Sequence, residues 1–244
     1  MLIIKSVFNE ILYRPLFNAL IFIYQHFSFG DLGVAIILLT IFIRLVLFPL
    51  FYKGAKDQAI MQRLAPKIKE IQKNHKNDRQ EQTKKLMDLY KEHKVNPFSG
   101  FLLLFVQLPV LIALYQVFLK GFSTTDFSAL YSFVSAPQSL DHFFLGFVDL
   151  SKKSLVVVII AAVIQYFQGK LSLIKNNKPS EELSPAEKMG QQMVYLGPIL
   201  TFVFLWFLNL PSAVGLYWLT TSAFSVIQQV IINKKLSVKF NGDK

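Results

Sequence analysis

Residues 32–52 read LGVAIILLTIFIRLVLFPLFY, a run of twenty-one with a single charge, Arg44. At 1.5 Å per residue such a helix covers about 32 Å, enough for a hydrocarbon core of about 30 Å. Four further blocks are similarly apolar: 97–119, interrupted by Gln107, Pro109 and Gln116; 154–173; 193–210; and 212–232. Only helices and closed barrels satisfy their own backbone groups in lipid, and these blocks lack the alternation of a barrel strand. The pattern predicts an all-α polytopic membrane protein with five transmembrane helices. The last two are joined only by residues 209–212, a tight antiparallel hairpin.

Composition agrees. Of 244 residues, 53% are hydrophobic and 17% charged, against roughly 25% charged in an average soluble domain. That excludes a soluble globular protein. The absence of cysteine excludes disulfides, thiolate metal sites and thiol chemistry. The four histidines fall outside the apolar blocks and form no His-x-x-x-His pair, so no metal site is expected. No Gly-rich phosphate loop is present, so no nucleotide cofactor is expected either.

The basic excess, 26 Lys and Arg against 15 Asp and Glu, is chiefly a topology signal. Twenty of the 26 lie in the connection 53–94, around 170–188 and in the tail, and five lie on the other side. Positive residues mark the cytoplasmic side, so the N-terminus is expected outside and the C-terminus in the cytoplasm. The predicted organisation follows: 1–29 an amphipathic interfacial helix; 30–52 the first span; 53–96 a cytoplasmic helical hairpin; 97–119 the second span. An aromatic outer loop at 120–153 precedes the third span, 154–173, and a cytoplasmic loop at 174–192 follows it. The fourth and fifth spans occupy 193–232, with a basic tail at 233–244. In the first segment Ile4, Phe8, Leu12, Leu16, Leu20 and Ile23 recur at helical spacing. Glu10 and Arg14 fall where a signal peptide needs a clean apolar stretch. A sixth span is the alternative there. The outer loop's Phe122, Phe127, Tyr131, Phe133, Phe143, Phe144 and Phe147 suit the membrane interface.

Arg44 lies about 18 Å from one end of its span and about 12 Å from the other. An arginine cannot shed its charge, and at the centre of a span it costs about 2.5–3.5 kcal/mol. None of the five blocks holds an Asp or Glu to pair with it. Two readings stand: the side chain snorkels to the cytoplasmic headgroups, or it faces a hydrated cavity inside the bundle. Gln107, Gln116, Gln165, Gln168, Thr220, Thr221, Ser222, Gln228 and Gln229 add polar groups that suit a cavity. Taken singly, each also suits an interhelical hydrogen bond. A cationic groove without acidic partners suits a transient anionic guest and not a proton relay.

In 53–94, Met61, Leu64, Ile68 and Ile71 recur at three- and four-residue spacing, as do Leu86, Leu89 and Tyr90. Two amphipathic helices joined by a polar tip are expected. The hairpin's twelve cations either only set topology or form a docking surface. Lys67, Lys69, Lys73, Lys76, Arg79, Lys84 and Lys85 are the candidates for docking ribosomal RNA, anionic lipids or a targeting receptor.

Five stretches in this order resemble the YidC-type membrane protein insertases. They are Thr40-Ile-Phe-Ile-Arg44-Leu-Val-Leu-Phe-Pro49; Leu64-Ala-Pro66 with Tyr90-Lys-Glu-His-Lys-Val-Asn96-Pro97; Gln107-Leu-Pro109; Phe167-Gln168-Gly-Lys170; and Leu216-Tyr217-Trp218. The likeness is to a short, core-only form. It implies an insertase and chaperone of a bacterial plasma membrane, with no covalent chemistry. The polar tail of a substrate enters a cytoplasm-open groove lined by Arg44, Gln107, Gln165, Gln168, Tyr217, Trp218 and Thr221. Its hydrophobic span then slides into lipid along the outer faces of spans 3 and 5. The Gln-Gly-Lys context favours Gln168 as the groove glutamine of span 3, with Gln165, one turn away on nearly the same face, as the alternative. Implied partners are nascent integral membrane proteins, the ribosome, the Sec translocon and the signal-recognition-particle receptor. The competing function is a small-solute channel or secondary transporter, for which intramembrane carboxylates or repeats would be expected.

Overall fold

The computed structural model describes residues 6–123, 127–173 and 185–241. The predicted segments 1–29, 120–153, 174–192 and 233–244 each fall partly outside those residues. The helices are α1 (Arg14–His26), continuing a π-helical turn at Asn9–Tyr13; α2 (Leu32–Val46); α3 (Phe48–Asn74); α4 (Arg79–Glu92); and α5 (Ser99–Ser123). After a two-stranded ribbon of β1 (Phe143–Phe144) and β2 (Val148–Asp149) come α6 (Leu155–Ser172), α7 (Pro185–Phe207) and α8 (Ser212–Asn241). The fold is overwhelmingly helical, as the sequence predicts; the ribbon is an addition. Leu145 and Gly146, both at positive φ, form its turn, the geometry that matches strand twist.

Among the described residues, two helices are by themselves long and apolar enough to cross a membrane: α5 over Ser99–Leu119 and α6. The first predicted span, 30–52, is not one straight helix. It breaks at Leu47, and α2 meets α3 at 70°. Pro49 in the first turn of α3 accounts for the break, because proline favours a helix start and cannot extend a preceding helix. With the broken pair counted as one span, three helices qualify. The apolar part of α7 is Gln191–Phe207, shorter than predicted for a full crossing. In α8 the polar Thr220, Ser222, Gln228 and Gln229 dilute the apolar run, and all four are buried against protein.

α8 occupies the centre, packed against α6 and α2. Residues 211–217 are all buried. Gly215 allows α6 to come so near that a Cβ there would sit 2.8 Å from Val157. Along this stretch α8 therefore presents no exposed face, whereas Ile227, Val230 and Ile231 further along it are exposed. Exposed apolar side chains instead crowd α5, α6 and α7, among them Phe101, Phe105, Val163, Ile199 and Phe207.

The N-terminal helix is built into the bundle. Phe17, Leu20, Ile21 and Tyr24 of α1 are buried in the main core with residues of α2, α5 and α8. The buried stripe is therefore rotated from the one read in the sequence, and it takes in polar Asn18, 3% exposed. The outer loop explains why. The Asn18 amide donates to the Ala129 carbonyl at 3.0 Å and its oxygen accepts from the Tyr131 N–H at 2.6 Å. Tyr24 Oη accepts from the Asp141 N–H. Asp31 caps α2 through the Val34 N–H and accepts from the Leu145 N–H with its other oxygen. Further along, Ala213 N–H donates to Leu150 O, and the Ser212 hydroxyl lies 2.7 Å from the carbonyls of Asp149 and Lys152. The described part of this loop, 127–153, thus clasps one end of the helices. Phe127, Tyr131 and Phe144 pack on the core, whereas Phe133, Phe143 and Phe147 are exposed.

At the opposite end α3, which starts at Phe48 and not at 53, is joined to α4 by the short turn 75–78. Asp78 caps α4 by accepting from the Gln80 and Glu81 N–H groups, and Gln82 bonds back to Gln72. A second core joins Ala59, Ile60, Leu64, Leu89 and Val95 to Ile232 and Leu236. That contact extends α8 past the predicted helix end at 232, and the Arg63 side chain donates to the Leu236 carbonyl at 3.0 Å. Residues 185–192, predicted as loop, are the first turns of α7.

Candidate functional site

Arg44 stands in the last turn of α2, just before the break. It is 7% exposed and faces the interior of the bundle, not the surrounding surface. Its guanidinium carbon lies 4.2 Å from the centroid of the Phe51 ring on α3. The Tyr217 phenol of α8 is within its electrostatic reach. Among the described residues it has no ion pair and no hydrogen-bond partner. A cation held on an aromatic face without a counter-ion is favourable by about 2 kcal/mol when desolvated, which leaves its hydrogen-bonding capacity unused.

Tyr217 and Gln107 complete the cluster: Tyr217 is 3% exposed and accepts from the Gln107 side-chain amide. Thr221 follows one turn along α8, its hydroxyl oxygen sealed from solvent. Three elements of the chain, α2, α5 and α8, thereby bring Arg44, Gln107, Tyr217 and Thr221 together. Other predicted groove residues turn elsewhere. Gln165 is the span-3 glutamine that faces α8, where it accepts from Ser222 Oγ at 3.0 Å. Half-buried Gln168 has no described contact with Arg44. Trp218 packs against Phe204 of α7, ring centroids 5.6 Å apart.

Sequence reasoning missed two residues. Phe51 reads as one more apolar residue of the first span; only the break at Leu47 turns its ring beneath Arg44. Asp57 reads as a hairpin surface charge but is 4% exposed. It accepts from Ser99 Oγ at 2.6 Å and from the Asn96 N–H at 3.4 Å, at the N-terminus of α5, where a carboxylate is favoured. The Asn96-Pro97-Phe98-Ser99 turn was the available signal.

The hairpin cations Lys67, Lys69, Lys73, Lys76, Arg79, Lys84 and Lys85 are all exposed. Lys85 pairs with Glu81 at 3.7 Å. At the hairpin's base, burial lowers the Arg63 pKa and raises that of Tyr90.

The sequence model of the 60Kd inner membrane protein family matches residues 22–239. The chain belongs to that family. It is 34% identical over 226 residues to the membrane protein insertase YidC of Citrifermentans bemidjiense, 92% of this chain and 37% of that protein. Against the YidC of Francisella philomiragia it is 36% identical over 210 residues, 86% of this chain and 34% of that one. Against that of Francisella tularensis subsp. novicida it is 36% identical over 230 residues, 94% and 36%. The chain thus spans a little over a third of the length of these family members. The matched region contains every residue of the Arg44 cluster and the whole hairpin.

Proposed function

We propose that the protein is a membrane protein insertase and chaperone of a bacterial plasma membrane, with five membrane-spanning segments, its N-terminus outside and its C-terminus in the cytoplasm. The observation that carries this reading is Arg44: a permanent cation, 7% exposed and without a counter-ion among the described residues. The positive charge of the guanidinium attracts the carboxylates of a client's polar tail entering from the cytoplasm. Gln107, Tyr217 and Thr221 supply further polar contacts. The client's apolar segment leaves into lipid along α5, whose exposed Phe101, Leu104, Phe105 and Leu108 share a helix with Gln107. Transfer of that segment out of water drives the process, and the groove lowers the several kcal/mol that each unsatisfied polar group would cost in lipid. No bond is made or broken.

The clasp of the outer loop on α1, α2 and the start of α8 supports closure on the outer side. The exposed cations of the hairpin suit ribosomal RNA, a targeting receptor or anionic lipid, and cooperation with the Sec translocon fits the same orientation. The deciding experiment is insertion of a single-span test protein into liposomes containing the purified chain. Insertion that falls on substitution of Arg44 supports the reading; small-solute flux without insertion overturns it in favour of a channel or transporter.

A further inference from the structure

We propose that Phe51 is the positioning residue that seats the Arg44 guanidinium inside the bundle, and that one face of α3 fixes this seat to the start of α5. The inference rests on reading Arg44 as the groove's cation, but its parts are separate observations. Arg44 ends α2 and Phe51 begins α3, across a 70° break. Without the break the two side chains, seven residues apart, would lie along one helix; with it, the ring comes within 4.2 Å of the guanidinium carbon. Both residues are 7% exposed. With no carboxylate and no hydrogen bond from the described residues, the ring face is the contact that fixes where the cation sits.

Phe51, Gly54 and Asp57 follow at three-residue spacing, so they share a face of α3, and all three are buried. Gly54 lets α5 approach until a Cβ there would stand 2.6 Å from the Leu103 side chain. Asp57 then takes the Ser99 hydroxyl at 2.6 Å and the Asn96 N–H. These contacts hold the backbone that carries the ring against α5. The same helix runs on to Lys67, Lys69 and Lys73 at the hairpin surface, so the base of the hairpin and the placement of the groove's cation are mechanically one unit.

The test uses the full chain in liposomes and an arginine-directed reagent, phenylglyoxal. The adduct at Arg44 is quantified by peptide mass spectrometry, with exposed Arg79 as internal standard. Phe51→Leu, which keeps an apolar side chain but no ring, is expected to speed Arg44 modification about 5-fold or more. Phe51→Tyr is expected to restore the wild-type rate. Replacement of Phe51 by mono-, di- and trifluorophenylalanine, nearly unchanged in shape but with a progressively weaker ring face, is expected to raise the rate in that order. Asp57→Asn is expected to raise it with Phe51 intact. A flat fluorination series overturns the seat even where Phe51→Leu fails to fold, and an unchanged rate in Asp57→Asn overturns the link to α5. The readout involves no client. If adduct rates move as expected while Arg44→Ala inserts clients normally, the seat stands and the proposed function falls. If the rates stay flat while Arg44→Ala blocks insertion, the seat falls and the proposed function stands.

Discussion

The Gln107 side-chain amide donates to the Tyr217 hydroxyl, joining α5 to α8 beside Arg44. Tyr217 is 3% exposed and Gln107 half-buried. Tyr217→Phe strands the amide and is expected to destabilise the bundle by about 1–3 kcal/mol. Adding Gln107→Leu removes the stranded donor, and the double variant is expected to recover most of the loss. Denaturant unfolding of the two single variants and the double variant checks this; additive losses would show that the bond carries no coupling.

Arg44 contributes charge and not a two-pronged hydrogen-bonding fork, since no described residue engages its nitrogens. A unit charge about 8 Å from a carboxylate, at an effective dielectric of about 20, is worth about 2 kcal/mol. Arg44→Ala should therefore slow insertion of a client with an acidic tail by about 30-fold, while a client with a neutral tail is affected much less. Arg44→Lys keeps the charge and the ring contact and should retain most activity. Parallel insertion assays with the two clients measure the difference, and equal losses for both would refute an electrostatic role.

The hairpin makes a separate prediction. Replacement of Lys73, Lys76, Arg79, Lys84 and Lys85 by glutamate should abolish cosedimentation with ribosomes, and wild-type binding should weaken steeply with salt. All five side chains are exposed, so the thermal unfolding profile should stay as it is. Binding that survives the charge reversal would assign the cations to topology alone.

Asp149 gives the outer clasp a pH dependence. Its carboxyl is held at about 2, first by hydrogen bonding to Lys152 and then to Ser151. Because the folded value lies below the ordinary value of 3.8, the contribution is complete above that value and disappears as pH falls through the folded one. Lys152 is exposed, so the effect is small. Unfolding of wild type and Asp149→Asn across pH should show a modest, constant wild-type advantage near neutrality that vanishes towards pH 2. An advantage that persists at pH 2 would place the stabilisation elsewhere.

Several of these sites were visible in the chain itself. Arg44 stood out because a charge in an apolar run is costly wherever the run ends up. The hairpin was legible from its 3.6-residue periodicity, and the tight turn between α7 and α8 from spacing. The partners of Gln165 and Gln168 were not, because the two lie one turn apart on nearly the same face; in the structure Gln165 meets the Ser222 hydroxyl of α8. Asp57 looked like any surface carboxylate until Ser99 and Asn96 were found beside it, 42 and 39 residues away.

The sequence by itself determined that the chain is helical and apolar enough for a bilayer and that one arginine must be accommodated there, since hydropathy and charge act locally and survive any packing. Tertiary structure alone decided that the arginine is buried, that Phe51 lies across it, that α1 belongs to the core, and that the first part of α8 is buried at the centre of the bundle. Those outcomes depend on contacts between residues distant in the chain and on a bend at Leu47, and a pattern read along one helix contains no record of what will stand opposite.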